Sequence, residues 1–137
     1  MTAEFQNFHV GLKAFIAKGD QVLVVREKNG GLWEVPGGRI DVGEEKASVQ
    51  NVLLREISEE LGPNFMIVIN QPFYSWMRKW TPPQVGYVYL TGFRCAYISG
   101  DITISDEHTE ARWISREEVD ILDFAPGYKE ALLKYWE

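Results

Sequence analysis

Between residues 46 and 61 the chain has no glycine or proline, and its residues are largely good helix formers. Gly62-Pro63 then stops the helix. On both sides the pattern changes to β-branched and apolar runs, at residues 9–16, 21–26, 32–35, 66–69, 85–97 and 111–115. Lys18-Gly19-Asp20 and Asn29-Gly30-Gly31 read as turns, and Pro36-Gly37-Gly38 as a stop to regular structure. Ser115, with Glu118 three residues on, forms a capping box that opens a second helical region. Pro126-Gly127 splits that region and leaves a last helix at 128–136. One long central helix among strands, with a helical tail, predicts an α/β or α+β domain in which helices sandwich a mixed sheet.

The 137 residues fit a single domain spanning 1–137, and 45% hydrophobic composition supports a real core rather than a disordered chain. No apolar run reaches the about 18–20 residues of a membrane span. The N-terminus lacks the basic-then-apolar layout of a secretory signal. Cys95 is the one cysteine, so no internal disulfide forms, and a reducing compartment such as cytoplasm is expected. Fourteen basic and 20 acidic side chains give a net charge of −6, which disfavours nucleic acid as a partner. A phosphorylated ligand would need local cations or a metal.

The segment Arg55-Glu56-Ile57-Ser58-Glu59-Glu60-Leu61-Gly62 carries the most chemistry. At spacings of three and four, Glu56, Glu59 and Glu60 share one side of the helix, while Leu53, Ile57 and Leu61 form an apolar row beside them. Like charges there cost a few tenths of a kcal/mol per pair, and the C-terminal end of the helix dipole disfavours anions. A hard divalent cation reverses that penalty. A solvated face with Arg55 paired to Glu59 fits the same pattern. Upstream, Trp33-Glu34-Val35-Pro36-Gly37-Gly38 ends a strand in a glycine corner that lets backbone approach a ligand.

Residues 38–62 resemble the Nudix box, G-x5-E-x7-R-E-U-x-E-E-x-G-U with U a bulky aliphatic, through Gly38, Glu44, Arg55, Glu56, Ile57, Glu59, Glu60 and Gly62. Ten residues separate Glu44 from Arg55 where the pattern has seven, and Pro63 replaces the last aliphatic residue. The resemblance implies the Nudix α/β/α sandwich with a mixed central sheet. It also implies hydrolysis of a pyrophosphate bond in a small nucleoside diphosphate derivative with Mg²⁺ or Mn²⁺. Glu56, Glu59 and Glu60 would ligate the metal, joined by a backbone carbonyl of Gly37 or Gly38. Arg55 would orient the glutamates through Glu44 or Glu56. Glu107, or else Glu110, would supply a general base, although either also reads as part of an exposed acidic loop. The alternative is a Nudix-like sensor that binds a nucleotide without cleaving it, for which the lengthened box leaves room. The resemblance admits a homodimer.

Substrate identity would be written in residues 72–83, where Phe73, Trp76 and Trp80 offer stacking faces and Arg78 a phosphate contact. Packing in the core or at a dimer interface explains these aromatics equally well. Arg26 is another candidate phosphate contact, or a surface charge. His108 has a surface or structural role or helps to place a phosphate.

Overall fold

The computed structural model describes residues 3–80 and 86–137. In chain order the elements are β1 (His9–Lys18), β2 (Gln21–Glu27), β3 (Trp33–Glu34), β4 (Gly37–Arg39), α1 (Val49–Leu61), β5 (Met66–Lys79), β6 (Tyr87–Ser99), β7 (His108–Ile114) and α2 (Tyr128–Tyr135). Short 3-10 turns lie at Glu44–Lys46 and Arg116–Asp120. The strands make one sheet in the order β3-β2-β1-β6-β5, with β7 also on β2 and β4 also on β1. β1 and β6 run parallel and the other pairs antiparallel, so the sheet is mixed.

Both faces of the sheet are buried, and the period-2 alternation of strands sorts side chains between two layers. Leu12, Ala14 and Ile16 of β1, with Leu23 and Val25 of β2, meet Val52, Leu53, Ile57 and Leu61 of α1. Phe15, Val22 and Val24 point the other way, toward Tyr128, Ala131 and Leu132 of α2. Complete burial of Leu53, Ile57 and Leu61 contributes about 1.5–3 kcal/mol each. The Ser48 hydroxyl accepts from the Asn51 N–H at 3.1 Å and caps α1. The result is the expected α/β/α sandwich. No described helix is long and apolar enough to cross a membrane.

The site lies at a seam in this sheet. β1 and β2 pair only at Ala17–Val22 and Lys18–Gln21, beside their turn. Farther back along β1 the partner is β4, through Gly11–Arg39, Leu12–Gly38 and Lys13–Gly37. Between the two pairings, the Ala14 N–H donates to the Pro36 carbonyl at 2.8 Å. The Val35-Pro36 chain thus fills the gap where β1 and β2 part.

Several expected boundaries move. Gly37–Arg39 is a strand, not a break. Gly37 has φ +146°, and a Cβ there would run into the Leu12 carbonyl oxygen, so glycine is what lets β4 pass so close to β1. α1 starts at Val49 because residues 44–46 wind into the 3-10 turn before Ser48. The strand expected at 66–69 runs to Lys79, because β6 pairs with it throughout and register shifts absorb Pro72. Proline is tolerated there because β5 is an edge strand. β7 begins at His108 rather than 111, and the region after Ser115 keeps its capping box but forms only a 3-10 turn before α2. Residues 81–83, and the start of the run expected from 85, lie outside the described residues.

Candidate active site

A cleft of about 220 Å³ opens at the seam, walled by β1, β4, the end of α1 and the start of β7. The buried polar or charged side chains among the described residues are Lys13, Glu60 and His108, and all three line this cleft. Cores exclude such groups unless they are paired. Their gathering in one cavity marks it as the place where the chain departs from packing rules.

Glu60 is 4% exposed. Its Oε1 accepts from the Gly37 N–H at 2.6 Å. Burial pushes its carboxyl up to about 8, against the opposing pull of Lys13 and the Gly37 N–H. Glu56 lies beside Gly38, where a Cβ would collide with its carboxylate. Burial raises the Glu56 carboxyl as well, with Arg55 opposing. Glu59 is largely exposed and meets Arg55 Nη1 at 3.1 Å.

Arg55 organises this end of the helix. Its Nε and Nη2 both donate to the Glu44 carboxylate at 2.6 Å, a bidentate pair. Nη2 also lies 2.9 Å from Glu56 and 3.4 Å from Asp41. Hydrogen bonds to Glu44 hold the guanidinium above its ordinary range, and the same bonds lower the Glu44 carboxyl. The ten residues between Glu44 and Arg55 therefore bring these two groups together: the 3-10 turn at Glu44–Lys46 and the capped start of α1 take up the length.

On β1, opposite Gly37 in register, Lys13 Nζ meets Glu34 Oε1 at 3.0 Å and lies 5.6 Å from the centre of the Tyr128 ring. Burial opposes both charges, yet each holds the other ionised: the ammonium rises, and the Glu34 carboxyl falls to about 2. Burial and the adjacent Glu34 push Glu27 up to about 7. Burial raises the Tyr128 phenol to about 12 and lowers His108 despite Glu34 nearby. Arg39 and Arg78 stand at the same cleft, and burial and mutual repulsion lower Arg39. Neither arginine has an ion-pair partner among the described residues, and residues 1–2 and 81–85 contain no acidic side chain.

Of the residues singled out from the sequence, Glu60, Gly37, Gly38, Arg78 and Glu107 line the cleft. Glu44, Arg55, Glu56 and Glu59 form the adjoining cluster. Glu110 sits within β7 and pairs with Arg26 at 3.9 Å. Arg26 also donates to the Gly31 carbonyl at 2.9 Å, and neither residue lines the cleft. Trp76 is buried, edge-on to Tyr128 at 5.3 Å. Phe73 meets Phe15 at 4.8 Å and lies under Arg94. These two rings serve the core, because inward positions of β5 face α2. Trp80 lies under the Arg39 guanidinium at 4.9 Å and against His9 at 4.3 Å. Lys13, Glu34, Arg39 and Tyr128 were not anticipated. A lone lysine between Leu12 and Ala14, and a lone glutamate between Trp33 and Val35, were the available signals.

The donor set suits a divalent cation. One ligand atom each from Glu60, Glu107 and His108 lies within 4.8 Å of the others, and the Glu60 carboxyl is one whose charged form burial penalises more than Lys13 and the Gly37 N–H support it, so a cation there would favour ionisation.

The family described as NUDIX domain matches residues 7–135. Nucleoside triphosphatase NudI of Enterobacter sp. (strain 638) is 30% identical over 100 residues, covering 68% of this chain and 68% of that protein. A putative 8-oxo-dGTP diphosphatase of Bacillus subtilis (strain 168) is 45% identical over 47 residues, 34% of this chain and 30% of that one. The MutT protein from Methanosarcina mazei Go1 shares the fold, with a TM-score of 0.78 at 22% identity over 98% of this chain and 96% of that one.

Proposed function

The chain belongs to the NUDIX domain family, and from that premise we propose that this pyrophosphohydrolase cleaves a small nucleoside triphosphate or similar nucleoside diphosphate derivative with a divalent ion. The observation that carries the reading is a buried glutamate, Glu60, held by the Gly37 N–H in a cleft also lined by Arg39 and Arg78, neither of them ion-paired among the described residues. The name of the NudI relative supports the triphosphate. Arg39 and Arg78 would attract the phosphates, which the net charge of −6 otherwise repels.

Glu56, Glu59 and Glu60 would hold the ion, which when bound neutralises phosphate charge and lowers the pKa of water. Arg55 keeps Glu56 and Glu59 oriented while itself anchored on Glu44. Glu107 would accept a proton from the attacking water, since it lines the cleft and Glu110 does not. In-line attack then needs mainly positioning and charge stabilisation. Binding without cleavage is disfavoured by the Arg55–Glu44 pair, which closes across the lengthened segment.

The test is a hydrolysis screen with and without Mg²⁺ on wild type and Glu60→Gln, products separated by chromatography. Metal-dependent release from a nucleoside triphosphate, reduced by orders of magnitude in the variant, is expected. Calorimetric binding with no turnover across triphosphates, nucleotide sugars, ADP-ribose and dinucleoside polyphosphates would replace hydrolysis with sensing.

A further inference from the structure

His108 opens β7, and 3% of its side chain is exposed. Its Nε2 faces Glu60 Oε2 at 3.6 Å and Glu34 Oε2 at 4.0 Å. Both separations exceed a hydrogen bond. On the other side of the ring, Nδ1 is buried with no partner among the described residues. Buried imidazoles ordinarily have both nitrogens engaged. This one has neither, and no acceptor on Nδ1 commits the ring to one tautomer.

An Nε2–H aimed at Glu60 would be expected to close to about 2.7–3.0 Å. Instead, Nε2 and the carboxylate face each other across a gap too wide for a shared proton. Glu107, the residue before His108, brings a second carboxylate to the same point, and the three donor atoms lie within 4.8 Å of one another. Donors around one ion are separated by roughly 3–4 Å at ordinary metal–ligand lengths, so a small inward movement suffices.

We propose that His108 is a nitrogen ligand to the divalent ion of this cleft, joining Glu60, with Glu107 beside the ion as the proton acceptor. This rests on the metal-dependent reading above and refines it. The three glutamates of α1 offer only oxygen, which suits Mg²⁺. An imidazole tilts the site toward metals that bind nitrogen more strongly, Mn²⁺ and, further along the affinity order, Co²⁺.

Electron spin-echo envelope spectroscopy of Mn²⁺ bound to the full chain tests this directly, because a coordinated imidazole imprints ¹⁴N modulation on the echo. The chain has two histidines, and His9 packs on Trp80 and Arg39 outside the donor set, so the signal is assignable. Wild type should show the modulation and His108→Gln should lack it. By calorimetry, His108→Gln should weaken Mn²⁺ by at least about tenfold, the low end of what losing even an outer partner of a metal ligand costs. Mg²⁺ should weaken less than Mn²⁺. The wild-type spectrum does not depend on the variant folding. Bound Mn²⁺ without nitrogen modulation, alongside metal-dependent hydrolysis, overturns the role of His108 and leaves the proposed function standing. No Mn²⁺ binding at millimolar metal overturns both.

Discussion

Replacing Lys13 with methionine keeps the length of the side chain and deletes its charge. Lys13 and Glu34 are an ion pair at 3.0 Å in which 8% and 14% of the side chains are exposed. Removing one partner of a buried pair strands the other, at a cost of about 3–5 kcal/mol. For a domain of this size that lowers Tm by roughly 10–20 °C. The pH dependence is more diagnostic. In wild type the Glu34 carboxyl titrates at about 2 when folded, against an ordinary 4.5. Its contribution of about 3 kcal/mol is therefore present above pH 4.5 and lost as pH falls toward 2. Without Lys13, burial dominates and raises the carboxyl. The Glu34 contribution then changes sign: the variant becomes less stable as pH rises above 4.5.

Urea unfolding of wild type, Lys13→Met and Lys13→Met/Glu34→Leu at several pH values reads this out. The double variant should recover most of the loss, since an apolar pair of similar volume often matches a buried ion pair. A single-variant loss below about 1 kcal/mol, with the wild-type pH slope retained, would refute the buried-pair argument.

Two further substitutions separate catalysis from packing. Gly38→Ala places a methyl against the Glu56 carboxylate; turnover should fall at least about tenfold through this misplacement while the urea midpoint stays near wild type, and unchanged turnover would detach Glu56 from the site. Trp76→Ala should cost about 3–5 kcal/mol of stability with KM unchanged, whereas a raised KM at near-wild-type stability would return the ring to the ligand.

Periodicity made the central helix and the inner strands legible, because both signals are local and β1 and β2 alternate cleanly between two buried faces. β5 was harder to read. It carries Pro72, exposed residues and a polar stretch, and its continuity depends on the partner strand β6, whose residues pair with it from as far along the chain as Ser99 opposite Met66. Gly37-Gly38 reads as a turn because glycine signals freedom. The reason for glycine here is two collisions, with Leu12 and Glu56, that only the fold creates. Helical spacing put three carboxylates on one side of α1, but not their separate fates. Arg55 takes Glu59, and the Gly37 N–H takes Glu60. The first pairing is legible from its four-residue spacing, but the Gly37 N–H arrives from elsewhere in the chain, as does Lys13, which meets Glu34.

Stability alone does not account for that arrangement. Apolar side chains at Lys13, Glu60 and His108 would continue the surrounding core without desolvating an ammonium, a carboxylate and an imidazole. The three instead converge where β1 and β2 part, so the cost falls at one seam while Leu12, Ala14 and Phe15 pack normally on either side. Such local departure from packing rules is expected at a binding site. The seam fixes the geometry as well. Gly37 is paired to β1 and donates to Glu60, so the carboxylate is held by the sheet itself and not by a loop. A ligand that neutralises Glu60 therefore stabilises the join between β1, β4 and α1, which couples occupancy of the cleft to the integrity of the sheet.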